Sequence, residues 1–379
     1  MMKKIVYTFI FFNVILFSSA FTQTKEELLK DGINYVYNLK FDSAEINFNK
    51  VILSEPKSPE GYFFYSLVQW WKIYLNKNDE SKDEIFFQRI EKTLEVTDNL
   101  LEKNKQDMNA LFYKGGSLGY RGLLWSMREK WLKAANDGRD AINYFNKIYE
   151  KNPENKDALF GLGIYNYFAE YVPDSYPYLK PLMLIFPKGD KIKGLEQIKE
   201  SSQYGKYSKT EAKFILAYIY LFYEKNYAQA EFYSKQLNSE FPQNPVFEKY
   251  LYSSYVGLGK INEAYQGWKR VAEKCKNYEF GYENWYLHRE ANYYTAMCMM
   301  YMKRLGEAAE YLNKAEELTY YLDKDETNIG SNIFLLLGKY YDIINNREKA
   351  IFYYNKVLDM KNFGETHSEA EKYKNNPYK

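Results

Sequence analysis

Phe334, Leu337, Gly338 and Tyr341 fall at offsets of 3, 4 and 7, which is one stripe of a helix. Asn345-Asn346 interrupts the stripe, and Ala350, Tyr354 and Val357 begin a second one. Gly338 and Ala350 are small residues placed where two antiparallel helices approach most closely. The same pattern returns near the other end of the chain in Gly32, Tyr35, Ala44, Phe48, Val51 and Pro56. A helix pair of this kind cannot bury its apolar face alone. Repeated along a chain, it has to stack on its neighbours, and the core grows by adding units.

Further pairs fill the interval. Pro59 opens an aromatic helix through Phe63, Phe64, Trp70, Trp71 and Tyr74. A polar loop over Asn76–Asp83 and a helix with Ile90, Leu94, Leu100 and Leu101 follow. In the third pair the first helix starts at Leu111 and is expected to run on through Trp125 and Trp131. Its second helix carries Ala141, Phe145 and Ile148. Gly116, Gly119 and Gly122 recur every three residues, without the Lys-Ser or Lys-Thr of a phosphate loop. They read as a small-residue face that admits a close neighbour. Ala230 and Leu237 mark a fifth pair, Ala264 and Trp268 a sixth, and Ala308 and Leu312 a seventh. The stretch from Phe334 is the eighth.

This unit resembles a tetratricopeptide repeat, two helices in about 34 residues. The resemblance implies an all-α fold, a right-handed α-solenoid of about eight antiparallel helix pairs. It would form one domain over residues 21–362, followed by a polar, frayed tail over 363–379.

The fourth pair departs from the pattern. Ala158, Leu159, Leu162 and Gly163 begin its first helix, and Gly194, Leu195 and Ile198 lie in its second. Between them residues 170–189 form an irregular insertion with Pro173, Pro177, Pro181 and Pro187, four of the chain's 10 prolines. Tyr171, Tyr176, Tyr178 and Phe186 make it too apolar for an ordinary surface loop, so it should be buried or bury something else. Gly161-x-Gly163, Val172-Pro173, Leu179-Lys180, Phe186-Pro187-x-Gly189-Asp190 and Gly194-Leu195 are similar to the tetratricopeptide repeat 39 family. That family includes a fungal inclusion-body clearance protein, and the block also resembles exported bacterial relatives. The resemblance supports the fold and the insertion.

Met1-Met2-Lys3-Lys4, the apolar run Ile5–Phe17 and Ser18-Ser19-Ala20 have the layout of a secretory signal peptide over residues 1–20. No cysteine follows to carry a lipid, so a periplasmic or secreted protein is expected, with no membrane span after signal removal. Cleavage would remove Lys3 and Lys4 and leave 50 basic against 50 acidic residues, which argues against nucleic acid as a partner. Cys275 and Cys298 are too few for a disulfide framework and are expected as two buried thiols.

Catalytic signals are sparse. His288 and His367 are the chain's 2 histidines, and neither has a metal-ligand partner at helical spacing. His288 reads as a capping or surface residue. No enzyme, metal or cofactor is expected. The stronger signal is aromatic: 41 Tyr and 25 Phe. In the repeat resembled here, the first helix of each pair lines the concave surface. That register places Tyr113, Tyr120, Phe160, Tyr167, Phe168, Phe214, Phe222, Tyr293 and Tyr301 on one wall, with Tyr171, Tyr176, Tyr178, Phe186, Gly189 and Asp190 in the insertion. The rings either pack between helices or form a groove for an extended peptide. Asp157, Arg121, Glu211, Glu290, Lys339 and Asp342 would add polar selectivity. Two functions follow: an exported scaffold that binds a protein or peptide, and a glycan-binding solenoid whose tyrosine faces receive sugar rings.

Overall fold

The computed structural model describes residues 23–175, 180 and 186–379, and over these the chain is helical, with no strand. The signal segment, and Tyr176 and Tyr178 of the insertion, lie outside the described residues. The helices follow in eight pairs: α1 (Lys25–Tyr37) with α2 (Phe41–Ser54), α3 (Pro59–Leu75) with α4 (Asp83–Lys103), and α5 (Met108–Met127) with α6 (Trp131–Lys151). Next come α7 (Lys156–Ser175) with α8 (Lys191–Tyr204), and α9 (Lys209–Tyr218, prolonged by the π-helical turn Ile219–Tyr223) with α10 (Tyr227–Glu240). The last are α11 (Pro245–Gly257) with α12 (Ile261–Lys276), α13 (Trp285–Tyr301) with α14 (Leu305–Leu322), and α15 (Asn328–Ile343) with α16 (Arg347–Asp359). A single helix, α17 (Thr366–Asn375), closes the chain. The fold is an α-solenoid.

A shared turn makes the pairs. Six of the eight are joined by three residues, the middle one left-handed: Leu39 (φ 58°), Glu129 (56°), Lys225 (53°), Gly259 (68°), Lys303 (59°) and Asn345 (61°). At the first, Leu39 N–H donates to Val36 O (3.0 Å) and Lys40 N–H to Tyr35 O (2.8 Å), the two bonds of a Schellman cap. The same two bonds recur at Glu129, Gly259, Lys303 and Asn345. Satisfying the helix's last carbonyls offsets the left-handed conformation of a non-glycine residue, which costs about 1–2 kcal/mol.

This turn also corrects the third pair. α5 stops at Met127, and Trp131 is the first residue of α6, because Glu129 reverses the chain between them. Of the three spaced glycines, Gly116 faces the Phe63 ring and Gly122 faces Ala134 and Asp137 on α6. A methyl carbon added at Gly119 would meet nothing within 4 Å, so this glycine admits no close neighbour.

Residues 363–379 are a second correction. In place of a frayed tail, α17 packs on the last pair and buries Thr366 and Ala370. Arg347 donates to Tyr373 O (2.9 Å), Tyr378 N–H donates to Asp342 Oδ2 (2.9 Å), and Lys339 pairs with Glu369. A polar sequence stays ordered here because its bonds go to the otherwise open end of the stack.

The first helix of one pair contacts the first helix of the next, as α1 does α3, α3 does α5, and α13 does α15, so these helices form an inner layer. The layer then meets itself. Tyr37 of α1 and Trp71 and Tyr74 of α3 pack against Phe214 of α9 and Phe247 and Tyr250 of α11. The loop before α13 joins the same seam: Gly281 faces Leu39, and Phe280 lies edge-on to Phe41 at 6.1 Å. No helix of the described residues is long and apolar enough to cross a membrane.

Candidate binding site on the inner wall

The inner wall has a sealed part and an accessible part. In the sealed part, Trp71 (1% exposed) is 5.4 Å from Tyr37 and 5.4 Å from Phe214. Polar atoms inside are matched. Asn244, fully buried, donates to Tyr37 O (3.0 Å), Asn284 donates to Leu75 O (2.8 Å), and the Tyr74 and Tyr250 hydroxyls lie 2.8 Å apart. Glu211, on α9, accepts from Tyr37 Oη (3.1 Å) and Tyr120 Oη (2.8 Å). Burial pushes its carboxyl up to about 7, against the pull of the two phenol bonds.

The accessible part is organised by the π-helical turn. There the i→i+5 bond from Glu224 N–H to Ile219 O (3.0 Å) widens the helix by one residue. The extra residue brings Tyr218 and Tyr223, five apart, to the same side, with hydroxyls 3.0 Å apart. It also sets Phe222 5.1 Å from Tyr218 and 5.5 Å from Tyr250. Tyr223 continues the row to Phe168 (5.6 Å) and Tyr171 (4.5 Å) on α7. Lys77, just after α3, sits 3.8 Å from the Tyr74 ring centroid and 6.0 Å from that of Tyr218. Burial first, then Lys249, pushes its amine down to about 7, with Glu290 opposing. Arg128, held by two bonds to Asp83, fixes the Lys77 carbonyl at 2.6 Å.

The nine wall residues therefore divide by access. Tyr113, Tyr167 and Phe214 are buried in the core. Tyr120, Phe160, Phe168 and Tyr293 are half-buried, whereas Phe222 is 39% and Tyr301 64% exposed. The polar residues expected around them are engaged within the fold. Asp157 accepts from Tyr207 N, Ser208 N and Ser208 Oγ, and Arg121 makes two bonds to Asp137 and another to Glu91. Glu290 pairs with Lys249, Lys339 with Glu369, and Asp342 with Arg347.

In the insertion, α7 continues past Pro173 to Ser175, and Tyr171 stacks on Tyr167 at 5.8 Å. Phe186 is half-buried. Gly189 lies against α7, where an added methyl carbon would fall 2.5 Å from Asn166 O. Asp190 caps α8 by accepting from Lys193 N–H (2.9 Å), and Gly194 brings α8 onto the backbone of Tyr167 and Gly163. The Gly-Asp-x-x-x-Gly run is thus a helix start followed by a close helix crossing.

In the sequence Lys77 is one residue of a polar loop, and Tyr37 and Tyr74 are helix aromatics. They reach the wall through the long-range closure, which leaves no local signal. His288 is buried rather than a surface residue. Its ring stacks on Trp285 at 5.7 Å, and burial lowers its pKa. His367 Nε2 lies 2.8 Å from Met360 O. Cys275 and Cys298 are buried free thiols, both pushed up to about 12 by burial.

The class defined by this architecture is an all-α solenoid of stacked helix pairs. No protein-family model matches the chain, and no curated protein matches it. Solved structures similar to it include a tetratricopeptide repeat protein from Parabacteroides merdae, 15% identical, covering 94% of this chain and 100% of that one, with a TM-score of 0.26. Another is the human IFIT1 dimer with PPP-AAAA, 13% identical, covering 89% of this chain and 72% of that one, with a TM-score of 0.34.

Proposed function

We propose that this chain is an exported, non-catalytic scaffold that binds an extended segment of another protein along the accessible inner wall. The observation that carries this reading is the exposure of Phe222 and Tyr301 on a layer whose other assigned rings are buried or half-buried. Large apolar rings on a concave layer suit a partner that inserts side chains between them. The likeness of the central block to the tetratricopeptide repeat 39 family supports the solenoid fold and the insertion, and the signal layout of residues 1–20 supports export. Affinity capture from a cell-envelope extract should recover one specific partner. Phe222→Ala and Tyr301→Ala should each weaken that capture by about tenfold, as removing a buried aromatic anchor does. Capture that is unchanged in the double variant would sink the proposal. The flat, exposed Tyr301 face also suits a sugar ring. A rise in melting temperature with an oligosaccharide, and no captured protein, would favour that second reading.

A further inference from the structure

The seam between the first two and the fifth and sixth helix pairs is closed over one carboxyl group. Glu211 is 5% exposed and receives hydrogen bonds from two other pairs, Tyr37 on α1 and Tyr120 on α5. The groups facing it are phenols: Tyr37, Tyr120 and, on α3, Tyr74, whose ionisation its charge opposes. The other nearby charge is also acidic, since Glu240 acts on Tyr37. Among the described residues no lysine, arginine or histidine forms an ion pair with it, and both carboxyl oxygens are taken by phenols. A buried carboxylate without a cation is costly, and it can regain water only if the walls around it part. The rest of the seam is ring packing and neutral hydrogen bonds, except at its edge, where Lys77 lies 3.8 Å from the Tyr74 ring centroid with its amine pushed down to about 7. Its titration favours closure as pH rises, opposite to Glu211, and Glu211→Gln separates the two.

We propose that Glu211 is a proton-operated latch: protonated, it holds α1, α3 and α5 against α9 and α11, and ionised, it releases them and bares the aromatic wall. The released surface would include Trp71, Phe214 and Phe247, rings of the same kind as those assigned to the partner. In that respect the proposal rests on the binding function above and adds its regulation. The direction follows from linkage. In the open seam Glu211 is hydrated and titrates near the ordinary 4.5, whereas in the closed seam it titrates at about 7. Below both values closure is unaffected by pH. Between them the open form sheds a proton that the closed form keeps, so each unit of pH favours opening by up to tenfold. Above about 7 both forms are ionised and the effect levels off.

Hydrogen exchange of the full chain, followed by mass spectrometry at pH 5.5 and pH 8 and corrected for intrinsic rates, tests this. Seam peptides over 31–40, 66–76 and 244–251 should lose protection by tenfold or more, within a ceiling of about 30-fold for the 1.5 units up to the closed-state value. Peptides of α15 and α16 should not change. Iodide quenching of tryptophan fluorescence should rise over the same range. Glu211→Gln, which keeps an acceptor for one phenol and cannot ionise, should stay closed at both pH values. Equal seam protection at the two pH values, an unaltered pH effect in Glu211→Gln, or a loss spread evenly over the chain would each overturn the latch. Partner capture is not needed for this measurement. A working latch with no partner would count against the binding function alone.

Discussion

Gly194→Ala probes a close helix crossing, that of α7 with α8. A methyl carbon on Gly194 would sit 2.6 Å from Tyr167 N, 2.7 Å from Gly163 O and 3.1 Å from Tyr167 Cα. These are backbone atoms and cannot rotate aside. Restoring ordinary contact near 3.5 Å requires α7 and α8 to part by roughly 1 Å. Overpacking of this kind costs about 1–3 kcal/mol, and the absence of a movable side chain places this case at the upper end. Tyr167 moves with α7, so its hydrogen bond to Glu224 (2.5 Å) beside the π-helical turn is strained as well. Alanine's better helix propensity returns about 1 kcal/mol. The expected net loss is about 2 kcal/mol. Gly119→Ala is the matched control, because it lies in a helix and a Cβ there meets nothing within 4 Å. It should gain about 0.5–1 kcal/mol. Urea unfolding followed by circular dichroism at 222 nm would compare the two. If Gly194→Ala were neutral or stabilising, or if both variants shifted alike, the crossing would not be as close as described.

Lys303 is exposed and left-handed (φ 59°), so Lys303→Gly should raise stability by about 0.5–1 kcal/mol, the relief of strain exceeding glycine's added chain entropy. A lower thermal midpoint would contradict that. The Cys275 and Cys298 thiols, pushed up to about 12 by burial, should resist a thiol-specific chromogenic reagent at pH 8 in the folded chain and react in denaturant. Immediate reaction of either in the native state would show that its helix is not packed as described.

Much of the architecture is legible because apolar periodicity is a local signal. Gly32 with Ala44, and Gly338 with Ala350, mark real approaches: Gly32 faces the Phe48 ring and Gly338 faces the Tyr354 ring. The turns are legible where the residue advertises a left-handed conformation, as Gly259 and Asn345 do. They are not at Leu39, Glu129, Lys225 and Lys303, where cap bonds or context outweigh residue preference. The α5–α6 boundary is hidden for that reason, since Trp125 and Trp131 look continuous across Glu129. At the candidate site the repeat register assigns the rings to first helices but does not show which are sealed. That depends on contacts such as Tyr37 with Glu211, 174 residues apart, and no periodicity encodes them.

The closure has a consequence for how such a chain is made and how it can change. An open stack tolerates the gain or loss of a unit, because each unit touches only its neighbours. Here α1 and α3 must also meet α9, α11 and the turn before α13, so the number of pairs between them is fixed by geometry. Inserting or deleting one pair within that span would carry Tyr37 and Trp71 past their partners, whereas the pairs after Asn284 are free of this constraint. During synthesis the first two pairs can fold early, but their inner rings stay uncovered until Phe247, Tyr250 and Asn284 have emerged. The slow step should be this late, long-range docking rather than formation of any helix.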